Sequence, residues 1–196
     1  MSPDTDFFDT AFRTVRTWLT DTAGLGGAER QLAAGLRARL KVALVLVRRL
    51  VFLLAMGAGL PDVPVPDSDP IERKSGRAHN VAPEPGPVRV GLTPVSAGFG
   101  PPPLPSLAEA RPAAEMSDRI DRLMARLVVL YRIALDPSTR VARMAEALAR
   151  QRAAGANAPV CPPMPRTHRL DPAMGLLAGA VQANFARAAA AWYETG

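Results

Sequence analysis

Apolar residues recur at helical spacing through the first 60 residues, and glycines divide them into two segments. Phe8, Phe12, Val15 and Leu19 follow one another three or four residues apart, which predicts an amphipathic helix. Glycines at positions 24, 26 and 27 end that helix, and a second, longer helix is predicted to continue until the glycines at 57 and 59. Residues 1–60 are therefore predicted to form an N-terminal helical hairpin.

Proline dominates the segment that follows, residues 61–115. Thirteen of the 20 prolines of the chain lie between Pro61 and Pro112. Proline lacks a backbone N–H donor and its ring clashes with the preceding turn of a helix, so a regular helix is not expected here. We interpret residues 61–115 as a long, mobile, proline-rich linker of polyproline character.

Helical periodicity returns after the linker. Apolar residues at helical spacing predict a helix over 117–135, and the dipeptides Asp136-Pro137 and Asp171-Pro172 predict two further helix starts. Aspartate accepts hydrogen bonds from the first free N–H groups of a helix, and proline fits the first helical position. Residues 116–196 are thus predicted to form a C-terminal three-helix unit, and the fold class of the whole chain is all-α.

The predicted helix over residues 28–60 has the most informative pattern in the chain. At about 100° per residue, Arg30, Arg37, Lys41 and Arg48 fall within roughly 20° of one line along the helix. Leucine, valine and alanine occupy the opposite side. The pattern predicts a basic amphipathic helix.

Three interpretations of this helix remain open. It can be a core helix, with its basic line in solvent and its uncharged end, residues 50–60, packed inside a bundle or a dimer. It can lie in a membrane surface with its basic side chains toward anionic head groups. It can span a membrane over residues 42–60, although Arg48 and Arg49 near the middle would each cost about 2.5–3.5 kcal/mol.

The membrane-surface interpretation assigns contact residues to the basic line and to the apolar residues that follow it. The same residues are the candidates for contact with a protein partner, including a second copy of this chain. These candidates are Arg30, Arg37, Lys41, Arg48, Arg49, Leu50, Phe52, Leu53 and Leu54.

The net charge of +6 adds a further alternative, binding to nucleic acid. All but two of the 24 basic residues are arginine, a bias that a GC-rich genome explains without reference to a ligand. The positive charge lies on the predicted helices, however, and four arginines form a possible phosphate-binding face between residues 139 and 152. They are Arg140, Arg143, Arg150 and Arg152. The alternative function is therefore a nucleic-acid-binding regulator that uses the arginine faces of the predicted helices over 117–135 and 139–152.

The sequence contains no pattern typical of an enzyme. Cys161 and His168 lie seven residues apart without further metal ligands nearby, and no nucleophile motif or phosphate-binding glycine loop is present. We predict no catalytic residue, no metal, no cofactor and no small-molecule substrate. The single cysteine and the acidic N-terminus indicate the cytoplasm or the inner face of its membrane. The predicted function is a non-catalytic helical scaffold or adaptor.

Overall fold

The computed structural model describes residues 5–62, 116–159, 161, 163 and 170–194. These residues form five α-helices and contain no strand, which confirms the all-α prediction. The predicted mobile linker lies outside the described residues from position 63 onward. The helices are α1 (Thr5–Ala23), α2 (Glu29–Gly57), α3 (Met116–Leu135), α4 (Ser138–Ala153) and α5 (Pro172–Glu194).

The two Asp-Pro dipeptides start helices, as predicted, but with different geometry. Pro172 is the first residue of α5, and the Asp171 carboxylate accepts a hydrogen bond from the backbone N–H of Met174 at 3.0 Å. The Asp136 carboxylate instead accepts from the backbone N–H of Ser138 at 3.1 Å and from its hydroxyl at 2.6 Å. Helix α4 therefore begins one residue later than predicted, after Pro137.

Glycine ends α2 at the place that the sequence indicates. The Ala58 N–H donates to the Leu54 carbonyl at 2.9 Å, and Gly59 follows with a φ of +82°. A residue with a Cβ atom is strained in this left-handed region, whereas glycine adopts it readily. The end of the longest helix is thus fixed by local chemistry.

Helix α2 lies at the centre of the molecule and packs against each of the other four helices. Its interior-facing residues join those of the four surrounding helices in one continuous hydrophobic core. The N-terminal hairpin and the three C-terminal helices therefore share a core. The fully buried side chains of this core include Val15, Leu19, Leu36, Leu46, Leu50, Phe52, Leu148, Met174 and Val181.

Candidate functional site

The predicted contact residues of α2 fall into two groups in the structure. Arg30, Arg37 and Lys41, in the first half of the helix, are exposed. The other six lie in the second half, where Leu54 is half-buried and the rest are buried: Arg48, Arg49, Leu50, Phe52 and Leu53. The predicted apolar contact surface is therefore part of the core, because the surrounding helices cover this half of α2.

The structure also bears on the alternative of a span over residues 42–60. Within the described ranges, no helix combines the length and the apolar character that crossing a membrane requires. The prediction of a span in α2 is therefore not retained.

Arg49 lies at the centre of a polar cluster inside the bundle. Its side chain is only 3% exposed, and its Nη1 donates a hydrogen bond to the Gln182 side-chain oxygen of α5. Its guanidinium carbon lies 4.9 Å from the centre of the Phe185 ring, a favourable cation–π distance. The Phe185 ring in turn lies 4.9 Å from that of Phe52. The cluster fixes α5 against the second half of α2.

Burial sets the electrostatics of this cluster. It lowers the pKa of Arg49, because the charged guanidinium loses contact with water, while neighbouring Cys161 opposes the shift. Burial also raises the pKa of the Cys161 thiol, and Arg48 and Arg49 only partly offset that effect. A thiol with a raised pKa is a weak nucleophile at neutral pH. The cluster is therefore suited to holding helices together.

The arginine face of α4 is divided between the surface and the interior packing. Arg143 and Arg150 are exposed, and Arg150 pairs with Glu146 at 3.8 Å. Arg152 lies over the Trp192 ring at 5.0 Å and donates to the Trp192 carbonyl at 3.3 Å. One of the four arginines predicted to contact phosphate therefore joins α4 to α5.

A row of apolar side chains on α3 remains uncovered. Val128, Tyr131 and Leu135 are 44%, 37% and 60% exposed, and Ile120 and Met124, which lie on the same side, are half-buried. All five fall within an arc of about 80°. The row extends roughly 22 Å along the helix at a rise of 1.5 Å per residue. We refer to these five residues as the α3 stripe.

An open groove adjoins the Leu135 end of the α3 stripe. It has a volume of about 550 Å³ and lies between the start of α1, the end of α2 and the junction of α3 with α4. Its apolar wall includes Phe8, Phe12 and Leu54, and its charged lining residues are Asp9, Arg13 and Arg16. Within the described residues neither arginine forms a salt bridge.

Two opposite charges flank the α3 stripe on one edge. Asp121 and Arg132 are exposed and lie about 11 residues apart, within roughly 20° of each other around the helix. In the part of the chain that the structure describes, neither side chain takes part in a salt bridge. The remaining arginines of the first three turns, Arg119, Arg122 and Arg126, lie roughly 140° or more away from the middle of the stripe.

The sequence did not identify which side of α3 would be left uncovered as the α3 stripe. The signal was present, because α3 has apolar residues on more of its circumference than one buried face requires. Which of them are left uncovered depends on where α1 and α2 pack.

No group of three His, Cys, Asp or Glu side chains in the described ranges could hold a metal ion. No protein family model matches this chain, and no curated protein and no solved structure shows a match to it.

Proposed function

We propose that this protein is a non-catalytic helical adaptor that binds a protein partner through the α3 stripe. The observation that supports the proposal is the alignment of Val128, Tyr131 and Leu135, three large apolar side chains with at least a third of their surface in water. Isolated exposed apolar residues are common, but a contiguous row typically marks an interaction site.

The form of the stripe favours a helix as the binding element. Its residues are spaced four, four, three and four positions apart, which is the spacing at which one helix contacts another. The groove beside Leu135 offers an apolar wall at one end, and Arg13 and Arg16 in its lining outnumber the one carboxylate there, Asp9. A partner helix with an apolar face fits these features better than a small ligand.

Site-specific photo-crosslinking in cells tests the adaptor proposal, and the two tyrosines of the chain provide a matched pair. Tyr131 belongs to the stripe, whereas Tyr193 on α5 is 65% exposed and lies outside it. A benzophenone amino acid at position 131 should give discrete protein adducts that Val128→Asp removes. The same group at position 193 should not give those adducts. Equal adducts from both positions, or none from position 131, would contradict the proposal.

A second candidate function, attachment to an anionic surface, is supported by the exposed basic side chains in the first half of α2. Arg30, Arg37 and Lys41 are all exposed, and the only carboxylate in α2 is Glu29. Each basic residue near an anionic membrane contributes about 1 kcal/mol. The inner face of the cytoplasmic membrane is the location that this function would require, and a cytoplasmic location stays a prediction.

Vesicle co-sedimentation tests this second function. Because Leu50 and Leu53 are buried, attachment should be electrostatic and should be lost at high salt. Replacing Arg30, Arg37 and Lys41 with glutamine should weaken binding to phosphatidylserine vesicles by about 100-fold. The matched control replaces Arg119, Arg122 and Arg126, which are also exposed. Equal losses in the two triple variants, or binding that survives high salt, would contradict attachment through α2. Repeating the binding measurement with duplex DNA in place of vesicles tests the nucleic-acid alternative.

A further inference from the structure

The spacing of the five positions in the α3 stripe is nearly the same when it is counted from either end of the helix. Ile120 and Leu135 are 15 residues apart, Met124 and Tyr131 are seven apart, and both pairs are centred between positions 127 and 128. A two-fold axis at this point, next to Val128, superimposes the stripe on itself in antiparallel orientation. Ile120 of one copy then lies opposite Leu135 of the other, which is the self-complementarity that a two-fold interface requires.

The charges beside the stripe favour the same arrangement. In an antiparallel pair of helices the same edge of each helix faces its counterpart, and Asp121 and Arg132 lie on the same edge. The two-fold axis places Asp121 of one copy within about 3 Å, along the helix, of Arg132 of the other. An arginine side chain spans that offset easily. In a parallel pair these edges would lie on opposite sides, so that neither charge would meet its complement.

We propose that the occupant of the α3 stripe is a second copy of this chain, bound by antiparallel pairing of the two α3 helices. This inference rests on the adaptor function proposed above and specifies its partner. The contact consists of one helix about 22 Å long from each copy. That is small compared with the standard interface of roughly 800 Å² per partner, so the dimer is reversible and depends on protein concentration.

Sedimentation analysis of the full chain over a concentration series tests the dimer. The wild type should show a monomer–dimer equilibrium. Val128→Asp places two carboxylates at the two-fold axis and should raise the dimer Kd by about 100-fold or more. The matched control is Leu176→Asp on α5, where the leucine is 78% exposed, and it should leave the Kd unchanged. Both variants should keep the helix content of the wild type, because both positions are exposed.

A charge exchange tests the orientation of the two helices. Asp121→Arg and Arg132→Asp, made singly, should each raise the dimer Kd about tenfold by turning attraction into repulsion. The double variant should return to the wild-type Kd. Residues 121 and 132 are about 16 Å apart within one helix, so such a rescue can only come from contact between copies.

The outcomes separate this inference from the proposed function. A wild type that is monomeric at every concentration, a dimer insensitive to Val128→Asp, or a double variant without rescue would each overturn the antiparallel dimer. If the purified chain is monomeric while position 131 gives discrete adducts with other proteins, the adaptor proposal stands and the homodimer fails. Loss of both results would contradict both.

Discussion

Helices α2 and α3 have similar sequences in one respect, since both combine arginines with more apolar residues than a single buried face needs. The two helices differ in how far their neighbours cover them. The second half of α2 is covered on nearly all sides, including Arg48 and Arg49, whereas α3 leaves Val128, Tyr131 and Leu135 in water. An excess of apolar residues in a helix therefore marks a contact, but the neighbouring helices decide whether this contact is internal or external.

The largest effect on stability should come from removing the aromatic contact between α2 and α5. Phe52 is 1% exposed and packs against Phe185. Phe52→Ala should lower the free energy of unfolding by about 3–5 kcal/mol, since it removes a large buried side chain and leaves a cavity. Val128→Ala on α3 should change it by less than about 0.5 kcal/mol. Urea denaturation of both variants measures the difference in the free energy of unfolding. Similar losses would contradict the burial of Phe52 and the exposure of Val128.

The starts and ends of the helices were predictable because they depend on local chemistry. Asp171 accepts from the Met174 N–H within one turn, and Gly59 ends α2 through its own φ angle. The starts of α3 and α4 each differ from the prediction by one residue: the apolar spacing predicted a helix from residue 117, but Met116 is already helical, and α4 begins after Pro137. Boundaries of this kind differ by a residue or two when no strong cap is present.

The environment of α2 was not predictable, because it depends on residues far away in the chain. Arg48 lies on the same helical line as Arg30, Arg37 and Lys41, and the pattern alone gives these four residues the same surroundings. Gln182 and Phe185, more than 130 residues further along, contact Arg49 and cover this part of the helix. The uncharged run after Arg49 indicated burial, but not whether protein or lipid provides it.

The second largest effect on stability should come from replacing a buried arginine of α2, and an exposed arginine of the same helix provides the comparison. Arg49→Ala removes the hydrogen bond to Gln182, the contact with the Phe185 ring and the packing of the buried stem. We expect a loss of about 2–4 kcal/mol in the free energy of unfolding. Arg37→Ala, at an exposed position of the same helix, should cost less than about 0.5 kcal/mol. Thermal or urea unfolding distinguishes them, and equal costs would mean that Arg49 is not part of the core.

The N-terminal cap of α5 should have a smaller effect. Asp171→Ala removes the acceptor for the Met174 N–H and should destabilise the protein by about 1 kcal/mol. Asp171→Asn, which keeps an acceptor oxygen, should recover most of this loss. Urea denaturation of the two variants measures how much the cap contributes to the free energy of unfolding. An equal loss in both would show that the hydrogen bond contributes nothing to it.

The smallest effect concerns Asp136, which lies where the α3 stripe ends. Hydrogen bonds from Ser138 lower the pKa of this carboxyl below its ordinary value. Its contribution to stability is therefore present above the unfolded-state pKa of about 3.9 and is lost as the pH falls through the lower folded-state pKa. The Tm difference between wild type and Asp136→Asn should favour the wild type at neutral pH and shrink in acid. A difference that grows in acid would contradict the assigned hydrogen bonds.

Cysteine accessibility tests most directly whether the second half of α2 is core and the α3 stripe is surface. The chain has one cysteine, so Cys161→Ser gives a background into which Leu50→Cys or Val128→Cys can be introduced. In dilute native protein, the thiol at position 128 should react with a maleimide at nearly the rate of a free thiol. The thiol at position 50 should react at least about 100-fold more slowly than the thiol at position 128, because it becomes accessible only on unfolding. Anionic vesicles should not change this rate. Rapid labelling at position 50, or similar rates at the two positions, would contradict a buried second half of α2 and an exposed α3 stripe.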